Sequence, residues 1–132
     1  DIALVPTDSE TAAHHKARIR RAKAAGVRIA IGSDLYYEVA GVTRGQQAAR
    51  VYLRYVEAGM SNLDVLRSAT LIPGKLLEPG GTLGVLEVGA RADIIAVPGN
   101  PLEDVDALAR VAFVMKGGKV VRTPGKVRLH SQ

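Results

Sequence analysis

The stretch Gly26-Val27-Arg28-Ile29-Ala30-Ile31-Gly32-Ser33-Asp34 limits the fold more than any other part of the chain. Val27, Ile29, Ala30 and Ile31 form an apolar run too short for a good helix, and it reads as a buried strand. Gly32 permits a sharp turn at its end. Ser33 and Asp34 then stand at the carboxyl end of the strand, where α/β folds keep their chemistry. A carboxylate in that place is a metal ligand or base, or it caps the next element.

The residues before this run supply a second strand and a helix. Ile2-Ala3-Leu4-Val5 is apolar and closed by Pro6. Thr7 and Glu10 have capping-box spacing, and a helix is expected from there to about Ala25, stopped by Gly26. Ala12, Ile19 and Ala22 mark its inner stripe. Lys16, Arg18, Arg20, Arg21 and Lys23 read as a solvated outer face. His14 and His15 are adjacent, so on a helix they diverge and do not make a chelating pair, which needs i, i+3 or i+4 spacing. Strand, helix, strand is a βαβ unit and implies a parallel sheet with two covered faces. Two parallel strands cannot stand alone, because both edges and both faces need cover. The chain is therefore expected to be the end of something longer, or part of an oligomer.

Downstream, Leu35 to Gly41 reads as a loop at the same end of the sheet, and it carries Tyr36 and Tyr37. Helices are expected over residues 43–58 and from Ser61, where Ser61 and Asp64 have capping-box spacing. Leu63, Leu66 and Ala69-Thr70 give the stripe of the second. Pro73 breaks or restarts it before Lys75-Leu76-Leu77. After Gly80-Gly81 the character changes to turns and strands. Ala92–Val97, Val111–Met115 and Val120-Val121 read as strands, the last two joined by the hairpin signal Lys116-Gly117-Gly118-Lys119. Residues 104–108 read as a helical turn. The expected organisation is an α/β unit over 1–80, a mainly β unit over 81–122 and a polar tail over 123–132.

Composition narrows the chemistry. The 132 residues are 47% hydrophobic, which is globular in type, and there are no cysteines. That excludes disulfides, thiolate metal sites and cysteine nucleophiles. The net charge of +5 is concentrated at 16–23 and 116–128 without interleaved aromatics, so nucleic acid is not an expected partner. No apolar run approaches a membrane span and no leader opens the chain, so a membrane is not expected either. A cytoplasmic location is expected, although lack of cysteine is equally compatible with export. The first residue is Asp, which suggests that the natural chain begins further upstream.

Four blocks, in order, resemble the metal-dependent amidohydrolases, in particular the imidazolonepropionase-like and prolidase-like branch. Residues 24–34 look like the family's last barrel strand. Residues 57–61, with Ala69-Thr70 and 75–77, look like the helices that follow it. Residues 84–97 look like the return to the small β domain, and residues 100–105 and 114–121 look like its last strands.

The resemblance implies the last two βα units of a (β/α)8 TIM-type barrel, followed by the carboxyl-terminal strands of a small β-sandwich domain. It implies that Asp34 is the strand-end Asp that touches the metal or its water and passes a proton to the leaving nitrogen. Metal-bound water ionises near neutral pH, and a short, rigidly held carboxylate can take its second proton. Ser33 stands where many relatives have Thr. Tyr36 and Tyr37 stand where substrate-facing residues vary, which makes them candidate substrate contacts. The implied cofactor is a divalent metal, with zinc the expected ion. The family's His-x-His and its other metal ligands would lie before Asp1, whereas a catalytic zinc needs about three protein ligands. The implied parent hydrolyses C–N bonds in a small-molecule substrate, a cyclic amide or a dipeptide, and this chain alone is expected to be inactive. The implied partner is the remainder of the barrel, or further copies of the chain. The alternative is a non-catalytic structural or oligomerising fragment.

Overall fold

The computed structural model describes residues 9–35 and 38–124. Helix α1 spans Ser9–Ala24, α2 Arg44–Glu57, α3 Asn62–Ala69 and α4 Leu71–Leu77. Strands β1 (Ile94–Ala96), β2 (Phe113–Lys116) and β3 (Lys119–Arg122) follow, with a 3-10 turn at Val105–Ala109 between β1 and β2. The architecture is α/β, with the helices first and a small antiparallel sheet in the order β1-β2-β3 last. The expected strand over residues 2–7, the Thr7 cap and residues 125–132 of the tail lie outside the described residues.

Local sequence explains the helix ends. Thr43 and Gln46 form a reciprocal capping box at the start of α2, the Thr43 hydroxyl accepting from the Gln46 amide and the Gln46 side chain accepting from the Thr43 amide. Ser61 caps α3 by accepting from the Asp64 amide at 3.1 Å. Gly59, at φ +94°, ends the turn out of α2 in a conformation that side chains disfavour. Pro73 sits within the first turn of α4, where its missing N–H costs nothing.

The buried cluster is Met60, Val65, Val105 and Leu108, with Ile19, Ile29, Ile31, Tyr52, Tyr55, Val56, Leu66 and Val97 packed on it. It draws on residues from both sides of Gly80, because the 3-10 turn lies against α2. Gln47 on α2 is 1% exposed, and its side-chain amide has no hydrogen-bond partner among the described residues. The sheet follows the hairpin signal: Gly117-Gly118 turn with positive φ, and Lys116 pairs with Lys119. Val114 pairs with Arg122 but Met115 with Val120, so Val121 is the extra residue of a bulge.

Four expectations are corrected. Residues 27–31 do not form a strand: Val27 N–H donates back to Ala22 O (3.0 Å) and Ile31 N–H to Ser68 O (2.9 Å). A strand needs a neighbouring strand to bond with, and these two amides are instead spent on carbonyls of α1 and α3. The sharp turn expected at Gly32 falls on Asp34, at φ +45°. On α3 the buried face is Val65 and Ser68, while Leu63 is 44% exposed. Residues two apart on a helix lie about 200° apart, so burying Val65 turns Leu63 outward.

The fourth correction concerns the basic face of α1, which is not simply solvated. Lys16, Arg20 and Lys23 recur at helical spacing and meet the end of α2. Lys16 pairs with Glu57 at 2.8 Å, Arg20 donates to Glu57 O at 3.4 Å, and Lys23 donates to Gly59 O at 3.0 Å. Cations are favoured there because unpaired carbonyls make a helix carboxyl end partly negative. Arg18, Arg21, His14 and His15 are exposed, as expected.

Candidate functional site

The site is built on residues 27–35, which run from the end of α1 past the end of α3. Two hydrogen bonds fix the segment. One joins Val27 to α1. The other joins Ile31 to the Ser68 carbonyl, which lies in the last turn of α3 and has no partner within that helix. Ile29 and Ile31 pack on the core cluster, whereas Ser33 and Asp34 are exposed beyond it. Among the described non-glycine residues only Asp34 has a positive φ. Asp tolerates the left-handed region better than most side chains, at a cost of roughly 1 kcal/mol.

At the other end of the segment, a groove of about 200 Å³ lies between the segment and α3. Val27, Ile29, Met60 and Ile72 line it with Lys23 and Asp64; Asp34 does not. Lys23 Nζ lies 3.2 Å from Asp64 Oδ2. The Ser61 hydroxyl and the Lys23 ammonium hold the Asp64 carboxyl below the ordinary carboxylate range. Lys16 and Arg54 do the same for Glu57, against a smaller opposing effect of desolvation.

Tyr36 and Tyr37, the candidate substrate contacts, lie outside the described residues. Among the described residues no group of three or more His, Cys, Asp or Glu side chains could hold a metal ion. The described residues by themselves therefore do not fit a metal centre, and Asp34 brings one carboxylate towards it. The Lys23–Asp64 pair and the Ile31–Ser68 bond were not legible beforehand. The helical spacing of Lys16, Arg20 and Lys23 was the one signal that pointed to the first of these.

The profile of the amidohydrolase family matches residues 1–121. The chain belongs to the amidohydrolase family. It is 34% identical over 105 residues to the ochratoxinase of Aspergillus niger, a match covering 76% of this chain and 21% of that protein. The crystal structure of A. niger ochratoxinase superposes with a TM-score of 0.70 at 32% identity, over 89% of this chain and 27% of that one. A crystal structure of an Xaa-Pro dipeptidase with bound methionine in its active site gives 0.71 at 36% identity, over 81% of this chain and 25% of that one. A prolidase complexed with N-methylphosphonate-L-proline gives 0.69 at 34% identity, over 82% and 26%. The chain thus spans about a quarter or less of these amidohydrolases. Amidohydrolases generally use divalent metals. No helix among the described residues is long and apolar enough to cross a membrane.

Proposed function

We propose that this chain is the carboxyl-terminal portion of an amidohydrolase that cleaves a C–N bond of dipeptide or amide type, with Asp34 as its catalytic carboxylate. The observation that carries the reading is the family match through residues 1–121, which runs across the Gly-Ser-Asp that ends the 27–31 segment. The exposure of Asp34 beyond the packed isoleucines supports it, because a proton-handling group must meet substrate. The names of the similar proteins, an Xaa-Pro dipeptidase, a prolidase and an ochratoxinase, favour a small substrate with an amide linkage.

The chemistry assigned to this chain rests on the carboxylate. Ionised Asp34 accepts a proton from the attacking water as the new C–O bond forms. It returns that proton to the leaving nitrogen as the C–N bond breaks, and so ends ionised again. A family metal, zinc in our reading, would activate that water when bound, with its remaining ligands supplied from outside the described residues. Tyr36 and Tyr37, two residues beyond Asp34, are proposed substrate contacts.

The partner in this reading is the rest of the amidohydrolase fold. The barrel and small β domain divide near Gly80, and the setting is cytoplasmic. The exposed hydrophobics Leu76, Leu77, Leu86, Val88 and Val121 favour such a partner. They equally suit the alternative, a non-catalytic fragment that assembles with itself. The test is hydrolysis of a panel of Xaa-Pro dipeptides and ochratoxin by the polypeptide encoded with its upstream sequence. Wild type is expected to hydrolyse at least one of them, and Asp34→Asn to lose 10²–10⁴-fold in kcat, the usual range for a general acid–base group. Full activity in Asp34→Asn sinks the assignment of Asp34. If no upstream reading frame encodes further metal ligands, the catalytic reading of the natural protein falls with it.

A further inference from the structure

The geometry points to Lys23 and Asp64 as a positioning pair for Asp34. The inference rests on the role of Asp34 proposed above, but its physical basis is independent of the reaction. Lys23 stands one residue before the end of α1. Its ammonium donates to Gly59 O (3.0 Å), in the turn between α2 and α3, and lies 3.2 Å from Asp64 Oδ2 in the first turn of α3. One side chain therefore fastens the end of α1 to both sides of the α2–α3 joint.

The segment that carries Asp34 leaves from that fastened end. After Val27, its next backbone hydrogen bond among the described residues is Ile31 N–H to Ser68 O, on the last turn of the same α3. The two ends of the span are thus α1 and α3, and the ion pair sets the separation between them. Packing beneath the span is incomplete: Ile29 packs on the core cluster, but a groove of about 200 Å³ lined by Val27, Ile29, Met60 and Ile72 leaves room for the span to move. Without the pair the end of α1 can shift against α3, the Ile31 bond opens, and Asp34, three residues on, moves with it. Neither Lys23 nor Asp64 touches the reacting atoms. Their effect on the reaction passes through the place of Asp34.

Hydrogen exchange followed by mass spectrometry on the 132-residue chain tests this directly. Lys23→Met is expected to speed exchange at the Ile31 amide about three- to fivefold, while amides in the middle of α2 stay close to their wild-type rates. Lys23→Arg, which keeps the charge, is expected to restore most of the protection. Asp64→Asn is expected to behave as Lys23→Met does, and it serves in its place should that variant fail to fold. Equal acceleration in α2 makes the pair a general stabiliser and overturns the positioning role. No acceleration anywhere overturns it too. In the upstream-extended polypeptide, Lys23→Met is expected to lower kcat at least fivefold with KM within twofold of wild type. If Asp34→Asn abolishes hydrolysis while Lys23→Met keeps full kcat, the positioning role alone fails. If Asp34→Asn keeps full kcat, the role of Asp34 fails, and positioning for catalysis with it.

Discussion

Asp34 holds a conformation in which glycine would be more comfortable. Its φ of +45° places Cβ against the following carbonyl, and nothing among the described residues bonds its carboxylate in return. A strained polar residue at the end of a fixed segment is how sites store local cost for chemistry. Asp34→Gly is therefore expected to raise stability by about 0.5–1 kcal/mol, seen as a rise of a few degrees in melting temperature. If Asp34 has the role proposed above, the same change removes the carboxylate and is expected to lower hydrolysis in the upstream-extended polypeptide as far as Asp34→Asn does. A fall in stability would show that the turn depends on the Asp side chain. The sequence made this residue visible as a carboxylate after a strand-like run. It placed the turn at Gly32, because composition favours glycine for left-handed backbone and does not show which of three neighbours the packing selects.

At the scale of elements, the first helix is held by charge as much as by apolar contact. Among the described residues of α1 only Ile19 packs on the core cluster, while Lys16, Arg20 and Lys23 reach Glu57, Gly59 and Asp64. Exposed ion pairs contribute about 0.2–1 kcal/mol each, so the brace is modest and screened by salt. Glu57 and Asp64 are both held below their ordinary values of 4.5 and 3.8. The stability they contribute is present above those values and lost as pH falls through the depressed ones. Helix α1 is expected to loosen below about pH 4, and at neutral pH in high salt, before α2 does. Glu57→Gln should weaken α1 at neutral pH and flatten the acid response. Exchange of α1 amides followed from pH 7 to pH 3 checks both; equal loss in α1 and α2 would count against the brace. The helices themselves were legible from caps and stops, which are local chemistry. That residues 27–31 would not form a strand was not, because pairing depends on a neighbour that no local pattern contains.

For the whole molecule, what lies outside the core matters as much as what lies in it. The buried cluster is small, and Leu76, Leu77, Leu86 and Val88 stand 73%, 77%, 81% and 109% exposed. All four residues of β3 are exposed, and β1 and β3 are both edges of the sheet. Surfaces of this kind drive association. The isolated chain is expected to self-associate in light scattering, and a sharp monomer with cooperative unfolding would show that prediction wrong. The family could be recognised from four ordered blocks of sequence, since each block is a local pattern. The cluster that joins the helices to the 3-10 turn could not, because contacts across Gly80 have no signature in either half.

The passage from α4 into the irregular stretch before β1 has a plainer consequence. A Cβ at Gly74 would collide with the Leu83 carbonyl, and one at Gly84, where φ is +74°, would collide with the Thr70 carbonyl. Each backbone occupies the space the other's missing side chain leaves free. The obstacle on both sides is main chain, so no change of rotamer can make room. Gly80-Gly81 looks like a slack tether between two parts of the chain, but four residues later the tether is dovetailed into the helix it has just left. Tugging on the sheet therefore tugs on α4, and length added to that tether would collect in front of the joint without loosening it.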